Sequence, residues 1–235
     1  MSIEGSITAL VTPMNEKGDL DYNSLEKLIN FQIDSGISGL VAVGTTGESA
    51  TIDFEDHIKL IEFFIKISNG RVHIIAGTGA NSTEEALHLT REAKNLGADA
   101  ALLVSPYYNK PPQEGIYRHH AKIADEVDIP QILYNVPSRT ASFIEPETVQ
   151  RLSSHQNIMG IKDATGDMKN LSEVLKLCEE NIKSKNFFLY SGDDFSFLEF
   201  LKKGGHGTIS VTSNVVPEII SEICLLVQSD FPKAK

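Results

Sequence analysis

Eight parallel strands closed into a (β/α)8 TIM barrel are what the sequence predicts, on three observations. Short apolar runs alternate with longer amphipathic stretches along all 235 residues, the runs are nearly continuous and rich in β-branched residues, and no linker or low-complexity tract breaks the rhythm. Strands of that composition are covered on both faces, as barrel strands are. The length suits one domain over 1–235.

The elements follow in order. A strand near 5–11 precedes a helix over 22–35, where Asp21 stands at the N-cap and Leu25, Leu28, Ile29 and Ile33 recur at three- and four-residue spacing. Strands near 38–43 and 72–76 come next, with Gly36 and Gly70 closing the helices before them. Ser82-Thr83-Glu84-Glu85 is a capping-box pattern that opens a helix ending at Gly97. Further strands are expected near 100–104, 130–134, 157–161, 187–191 and 207–211, with helices starting at Glu114, Glu145, Met168, Asp194 and Val215. The last helix stops near Asp230, so the barrel is expected to be cut in or after its final helix.

Composition excludes several classes of partner. A formal charge of −11 repels nucleic acid and anionic membrane. No apolar run approaches the roughly 20 residues of a membrane span, and Met1-Ser2-Ile3-Glu4-Gly5 lacks the basic and apolar regions of a leader, which points to the cytoplasm. The two cysteines, Cys178 and Cys224, sit at helical spacing without metal-ligand companions and are expected to be buried structural thiols. His119-His120 are consecutive in a predicted helix, where they face different directions and are expected to pack rather than bind metal.

Chemistry is expected where barrel enzymes place it, in the loops after the strands. Lys162 ends the apolar run Met159-Gly160-Ile161, so burial would lower its pKa and leave a neutral amine able to attack a carbonyl. A structural lysine paired with Asp163, or one snorkelling to the barrel mouth, fits the same run. Tyr134 ends strand five, as a proton donor and acceptor or as a core tyrosine. Gly44-Thr45-Thr46-Gly47 offers amides and hydroxyls to a carboxylate, or is a turn chosen for conformation alone. Arg139, in Val136-Pro137-Ser138-Arg139-Thr140, is placed to hold a carboxylate or to form a surface ion pair. Glu48 is read as orienting its loop, and Asp193-Asp194 as helix caps outside the site.

Ala9-Leu10-Val11-Thr12-Pro13, Gly44-Thr45-Thr46-Gly47-Glu48-Ser49-Ala50-Thr51, Pro106-Tyr107-Tyr108-Asn109-Lys110-Pro111, Tyr134-Asn135-Val136-Pro137-Ser138-Arg139-Thr140, Gly160-Ile161-Lys162 and Gly204-Gly205-His206-Gly207-Thr208-Ile209-Ser210-Val211 stand in one order. Over essentially the whole chain they resemble the dihydrodipicolinate synthase family of pyruvate-dependent class I aldolases. The resemblance implies a lyase of the lysine and diaminopimelate pathway that joins pyruvate to L-aspartate 4-semialdehyde. Lys162 would form the Schiff base, Tyr134 would pass protons, Thr45 would partner it, and Tyr108 would complete the relay from a neighbouring subunit. Thr46 would bind the pyruvate carboxylate, Ile209 would line the pyruvate pocket, and Arg139 would receive the aldehyde's carboxylate.

The same resemblance implies a homo-oligomer, a homotetramer of tight dimers, and neither metal nor organic cofactor, because the lysine serves as electron sink. A lysine-binding regulatory site would comprise Ser49, Ala50, His57, Asn81, Glu85 and Tyr107, although Phe54 stands where a basic residue often does. The resemblance also implies a C-terminal helical region, which the chain is expected to lack. N-acetylneuraminate and keto-deoxy sugar acid lyases share the lysine and tyrosine, and a truncated inactive barrel is the non-catalytic alternative.

Overall fold

The eight strands pair in chain order and close on themselves, all parallel: β1 (Gly5–Ala9), β2 (Gly39–Ala42), β3 (His73–Gly77), β4 (Ala100–Val104), β5 (Gln131–Asn135), β6 (Ile158–Asp163), β7 (Phe188–Ser191) and β8 (Gly207–Ser210). Closure is made by β8 returning to β1, where Ile7 pairs with Ile209. This computed structural model describes residues 3–235, so Met1 and Ser2 of the leader reading lie outside the described residues.

Strand periodicity sorts the side chains into two layers. Ile7, Val41, Ile75, Leu102, Ile132 and Tyr190 fill the barrel interior. On the outer face, Leu40 and Ile74 pack against Leu25 and Ile29 of α1 (Tyr22–Asp34) and Leu60, Ile61 and Phe64 of α2 (Phe54–Ser68). Each such fully buried aliphatic or aromatic side chain contributes about 1.5–3 kcal/mol by leaving water.

The remaining helices are α3 (Thr83–Leu96), α4 (Gln113–Glu126), α5 (Pro137–Thr140), α6 (Pro146–Ser153), α7 (Met168–Leu177), α8 (Glu179–Lys183), α9 (Phe197–Lys202), α10 (Pro217–Ser229) and α11 (Phe231–Ala234). The Asp21 carboxylate accepts from Ser24 N at 3.0 Å and caps α1 as expected, and Ser82 Oγ accepts from Glu85 N at 3.4 Å at the start of α3. Gly36, Gly70, Gly97 and Gly204 all have positive φ, which ends their helices without Cβ strain.

Three sequence expectations are corrected. α9 begins at Phe197 rather than Asp194, because Asp193 and Asp194 are taken up by loop hydrogen bonds. The helix expected from Val215 starts at Pro217, after a 3-10 turn over Thr212–Asn214. Cys178 is buried but Cys224 is only half-buried, on a helix whose neighbour Leu225 is 76% exposed. Both thiols are nevertheless held protonated, and burial pushes Cys224 up to about 12.

Candidate active site

Strand register assembles the reactive groups. Tyr134 of β5 pairs with Lys162 of β6, which pairs in turn with Tyr190 of β7. In parallel strands such partners point to one face, here the barrel interior. Lys162 is 4% exposed, and its Nζ lies 4.3 Å from the centroid of the Tyr134 ring. Tyr190 is committed elsewhere, since its hydroxyl donates to the Ile3 carbonyl at 2.9 Å.

Asp163 does not pair with Lys162. It faces the other side of β6, where Oδ1 accepts from Thr165 N at 2.8 Å and Oδ2 from Asn170 Nδ2 at 2.5 Å. Burial also excludes a snorkelling lysine. Removal from water disfavours the ammonium and lowers the Lys162 pKa to about 7, with Asp194 opposing the shift and Arg139 adding to it. A substantial fraction of neutral amine is therefore present at neutral pH.

Tyr134 is 5% exposed. Burial raises its pKa, while the Arg139 charge and a hydrogen bond with the Thr45 side chain act in the opposite direction. A phenol held in that way keeps its proton until a stronger base forms nearby.

The turn bearing Thr45 and Thr46 leaves β2 through Val43, whose φ of 53° is rare for a β-branched residue and costs about 1–3 kcal/mol. Close packing from the next strand holds it there. A Cβ on Gly77 would lie 2.4 Å from the Val43 carbonyl oxygen, so only glycine admits this approach. Thr12 Oγ1 donates to the Gly47 carbonyl at 2.7 Å and ties the same turn to the loop after β1.

Arg139 rides on α5, a single turn that begins with Pro137. Its loop is fastened by buried Asn135, whose side chain accepts from Ile144 N at 3.1 Å and donates to Ile144 O at 3.3 Å. Thr140 Oγ1 donates to the Ser142 carbonyl at 2.7 Å. Arginine ion pairs form at Arg91, Arg118 and Arg151, but Arg139 is exposed and has none among the described residues.

Other predicted residues fall unevenly. Ile209 is fully buried in the interior cluster that contains Tyr134, and Thr46 is half-buried on its turn. Tyr108 is 89% exposed with φ 72° and stays out of the pocket. Ser49, Ala50, His57, Glu85 and Tyr107 line a cavity of about 360 Å³ together with Thr45 and Arg139, so the expected regulatory group shares a wall with the expected substrate group. Asn81 lies beside it, its carbonyl accepting from Asn109 Nδ2 at 3.5 Å. Phe54 stacks on His88 at the cavity's edge, with ring centroids 4.9 Å apart.

Asp194 was expected to be a helix cap, yet its charge acts on Lys162. No sequence pattern signals this, because the position of the carboxylate depends on how the loops after β7 and β8 meet. His119 and His120 pack inside, with ring centroids 5.0 Å apart, and burial takes His119 down to about 4.

The chain matches the Dihydrodipicolinate synthetase family across residues 2–235. It is 54% identical over 222 residues to the 4-hydroxy-tetrahydrodipicolinate synthase of Alcanivorax borkumensis, covering 94% of this chain and 74% of that one. The structure superposes with a TM-score of 0.94 and 49% identity on the chloride-inhibited dihydrodipicolinate synthase of Acinetobacter baumannii complexed with pyruvate, covering 99% of this chain and 79% of that one. It is equally similar in fold, at TM-score 0.94 and 38% identity, to a protein described as the first monomeric dihydrodipicolinate synthase variant, covering 99% of this chain and 77% of the other.

Proposed function

Because this chain belongs to the dihydrodipicolinate synthetase family, we propose that it is a class I aldolase-type lyase that condenses pyruvate with L-aspartate 4-semialdehyde through an imine on Lys162. The product feeds diaminopimelate and lysine synthesis. The observation that carries the residue assignment is a 4%-exposed lysine, lowered to about 7, whose Nζ stands 4.3 Å from the Tyr134 ring.

The neutral Lys162 amine adds to the ketone carbon of pyruvate to give a carbinolamine. Loss of water with uptake of one proton leaves an iminium cation. Tyr134, hydrogen-bonded by Thr45, passes the protons that addition and dehydration require. Thr46 and the amides of its turn hold the pyruvate carboxylate, and Ile209 packs against the bound molecule. The iminium then loses a methyl proton to become an enamine, whose carbon attacks the aldehyde while the aldehyde oxygen gains a proton. Arg139 binds the carboxylate of that second substrate. Attack of the substrate's own amine on the imine carbon closes the ring and releases Lys162.

Tyr108 is assigned to a neighbouring subunit's relay, within a homotetramer of tight dimers. Its exposure supports that reading, since within one chain it has no place beside Lys162. Ser49, Ala50, His57, Asn81, Glu85 and Tyr107 form the proposed lysine-responsive group, with the Phe54–His88 stack at its edge. The proposed compartment is the cytoplasm; no helix among the described residues is long and apolar enough to cross a membrane.

A substrate comparison tests the proposal. Condensation of pyruvate with L-aspartate 4-semialdehyde is expected to exceed cleavage of N-acetylneuraminate by a wide margin in kcat/KM, and faster cleavage would assign the chain to a sugar acid lyase instead.

A further inference from the structure

β7 ends at Ser191, and the loop that follows folds directly over Lys162. An ideal Cβ on Gly192 would lie 2.7 Å from Lys162 Cε and 2.9 Å from its Cγ, so this loop packs directly against the lysine side chain. Two residues on, Asp194 divides its carboxylate between two tasks. Oδ2 accepts from Val211 N at 3.0 Å, Thr212 N at 2.8 Å and Thr212 Oγ1 at 2.9 Å, which locks the loop after β8 to the loop after β7. Oδ1 is sealed from solvent and has no hydrogen-bond partner. An oxygen bearing half a negative charge, dry and unpartnered, is costly unless a cation comes to face it.

Lys162 lies against this same loop, and its amine is a group on which the Asp194 charge acts. The charged groups acting on the amine are Arg139 from α5 and Asp194 from the β7 loop, with the Tyr134 phenol alongside on β5 and the Tyr190 phenol, protonated and bonded to the Ile3 carbonyl, on β7. Asp163 is turned away and hydrogen-bonded on the other face. We propose that Asp194 is a positioning residue that acts through Lys162, its carboxylate serving as the fixed counter-charge to the cation carried at Nζ, ammonium before pyruvate binds and iminium after. The inference rests on Lys162 being the imine-forming residue.

The proton balance makes the role measurable. Below the lysine pKa, ammonium plus pyruvate gives iminium plus water with no net proton exchanged, so pyruvate affinity is flat with pH. Above it, amine plus pyruvate takes up one proton, and affinity falls as pH rises. The break lies at the Lys162 pKa, about 7. Both cations feel Asp194 alike, so removing its charge leaves the acid plateau nearly unchanged and moves the break to lower pH.

The test is the pH dependence of the pyruvate concentration that gives half-maximal borohydride trapping, read by intact mass. It is run on the wild type, on Asp194→Asn, which keeps the acceptor oxygen, and on Thr212→Val, which loosens the loop clamp but keeps the charge. The expected result is a break lowered by about one pH unit in Asp194→Asn and unmoved in Thr212→Val. A uniform loss of affinity at every pH in Asp194→Asn with its break unmoved would reduce Asp194 to a loop clamp and overturn the proposal. If Asp194→Asn does not fold, Asp194→Glu, which keeps the charge, must keep the wild-type break; a displaced break overturns the proposal equally. Absence of any wild-type adduct would instead remove the imine reading, and this inference with it.

Discussion

Lys162 and Asp163, neighbours in sequence, lie on opposite faces of β6: the amine is sealed in the barrel beside Tyr134, and the carboxylate is spent on Thr165 and Asn170. This separation leaves burial as the dominant influence on the lysine. An adjacent carboxylate on the same face would have held it protonated and unreactive at neutral pH.

Tyr134 is assigned the proton transfers, which typically contribute about 10²–10⁴-fold to rate. Tyr134→Phe keeps the ring beside Lys162 and removes only the hydroxyl. Its kcat is expected to fall within that range with little change in thermal midpoint; an unchanged kcat would transfer the role to another group.

Asn135 fastens the loop carrying Arg139 through both of its bonds to Ile144. Asn135→Ala leaves two backbone groups unpaired in a buried place, at a stability cost of about 1–3 kcal/mol. Arg139 loosens with them, so KM should rise for the aldehyde and hold for pyruvate. Equal effects on both substrates in steady-state kinetics would contradict this division of labour.

Gly192→Ala places a methyl group 2.7 Å from Lys162 Cε. The side chain must leave its position or the loop must lift, and overpacking of this kind costs about 1–3 kcal/mol. Pyruvate trapping on Lys162 is expected to slow well beyond what the lowered denaturation midpoint explains, and a variant that traps at the wild-type rate would show that the packing around the lysine has slack.

Acid stability should report on His119. Its ring is buried and neutral, with a folded pKa of about 4 against an unfolded value of about 6.5. The folded state thus binds fewer protons across that window. The contribution is complete above pH 6.5 and declines as pH falls toward 4, by about 3 kcal/mol in all. Urea midpoints measured across this range should fall less steeply for His119→Gln than for the wild type; parallel slopes would place the acid sensitivity elsewhere.

Much of this was legible in the sequence because barrel strands announce themselves. Apolar runs covered on both faces have no amphipathic ambiguity, and all eight strands fall within two residues of where Ala100–Val104 and its counterparts suggested. The single-turn α5 and the short α8 carry too few residues to show a period. The opposite facing of Lys162 and Asp163 was available from the strand's two-residue repeat. Two features were not available. The left-handed Val43 contradicts local preference and sits where the next strand approaches closely enough to require Gly77, and Asp194 reads as a helix cap until the loops after β7 and β8 are brought together.

Imine formation on Lys162 is tested most simply by borohydride reduction in the presence of pyruvate, followed by intact mass and peptide mapping. A single reduced pyruvyl adduct on Lys162 is the expected result, absent from a folded Lys162→Met variant. A folded wild-type protein that acquires no adduct, or acquires it on another lysine, would contradict it.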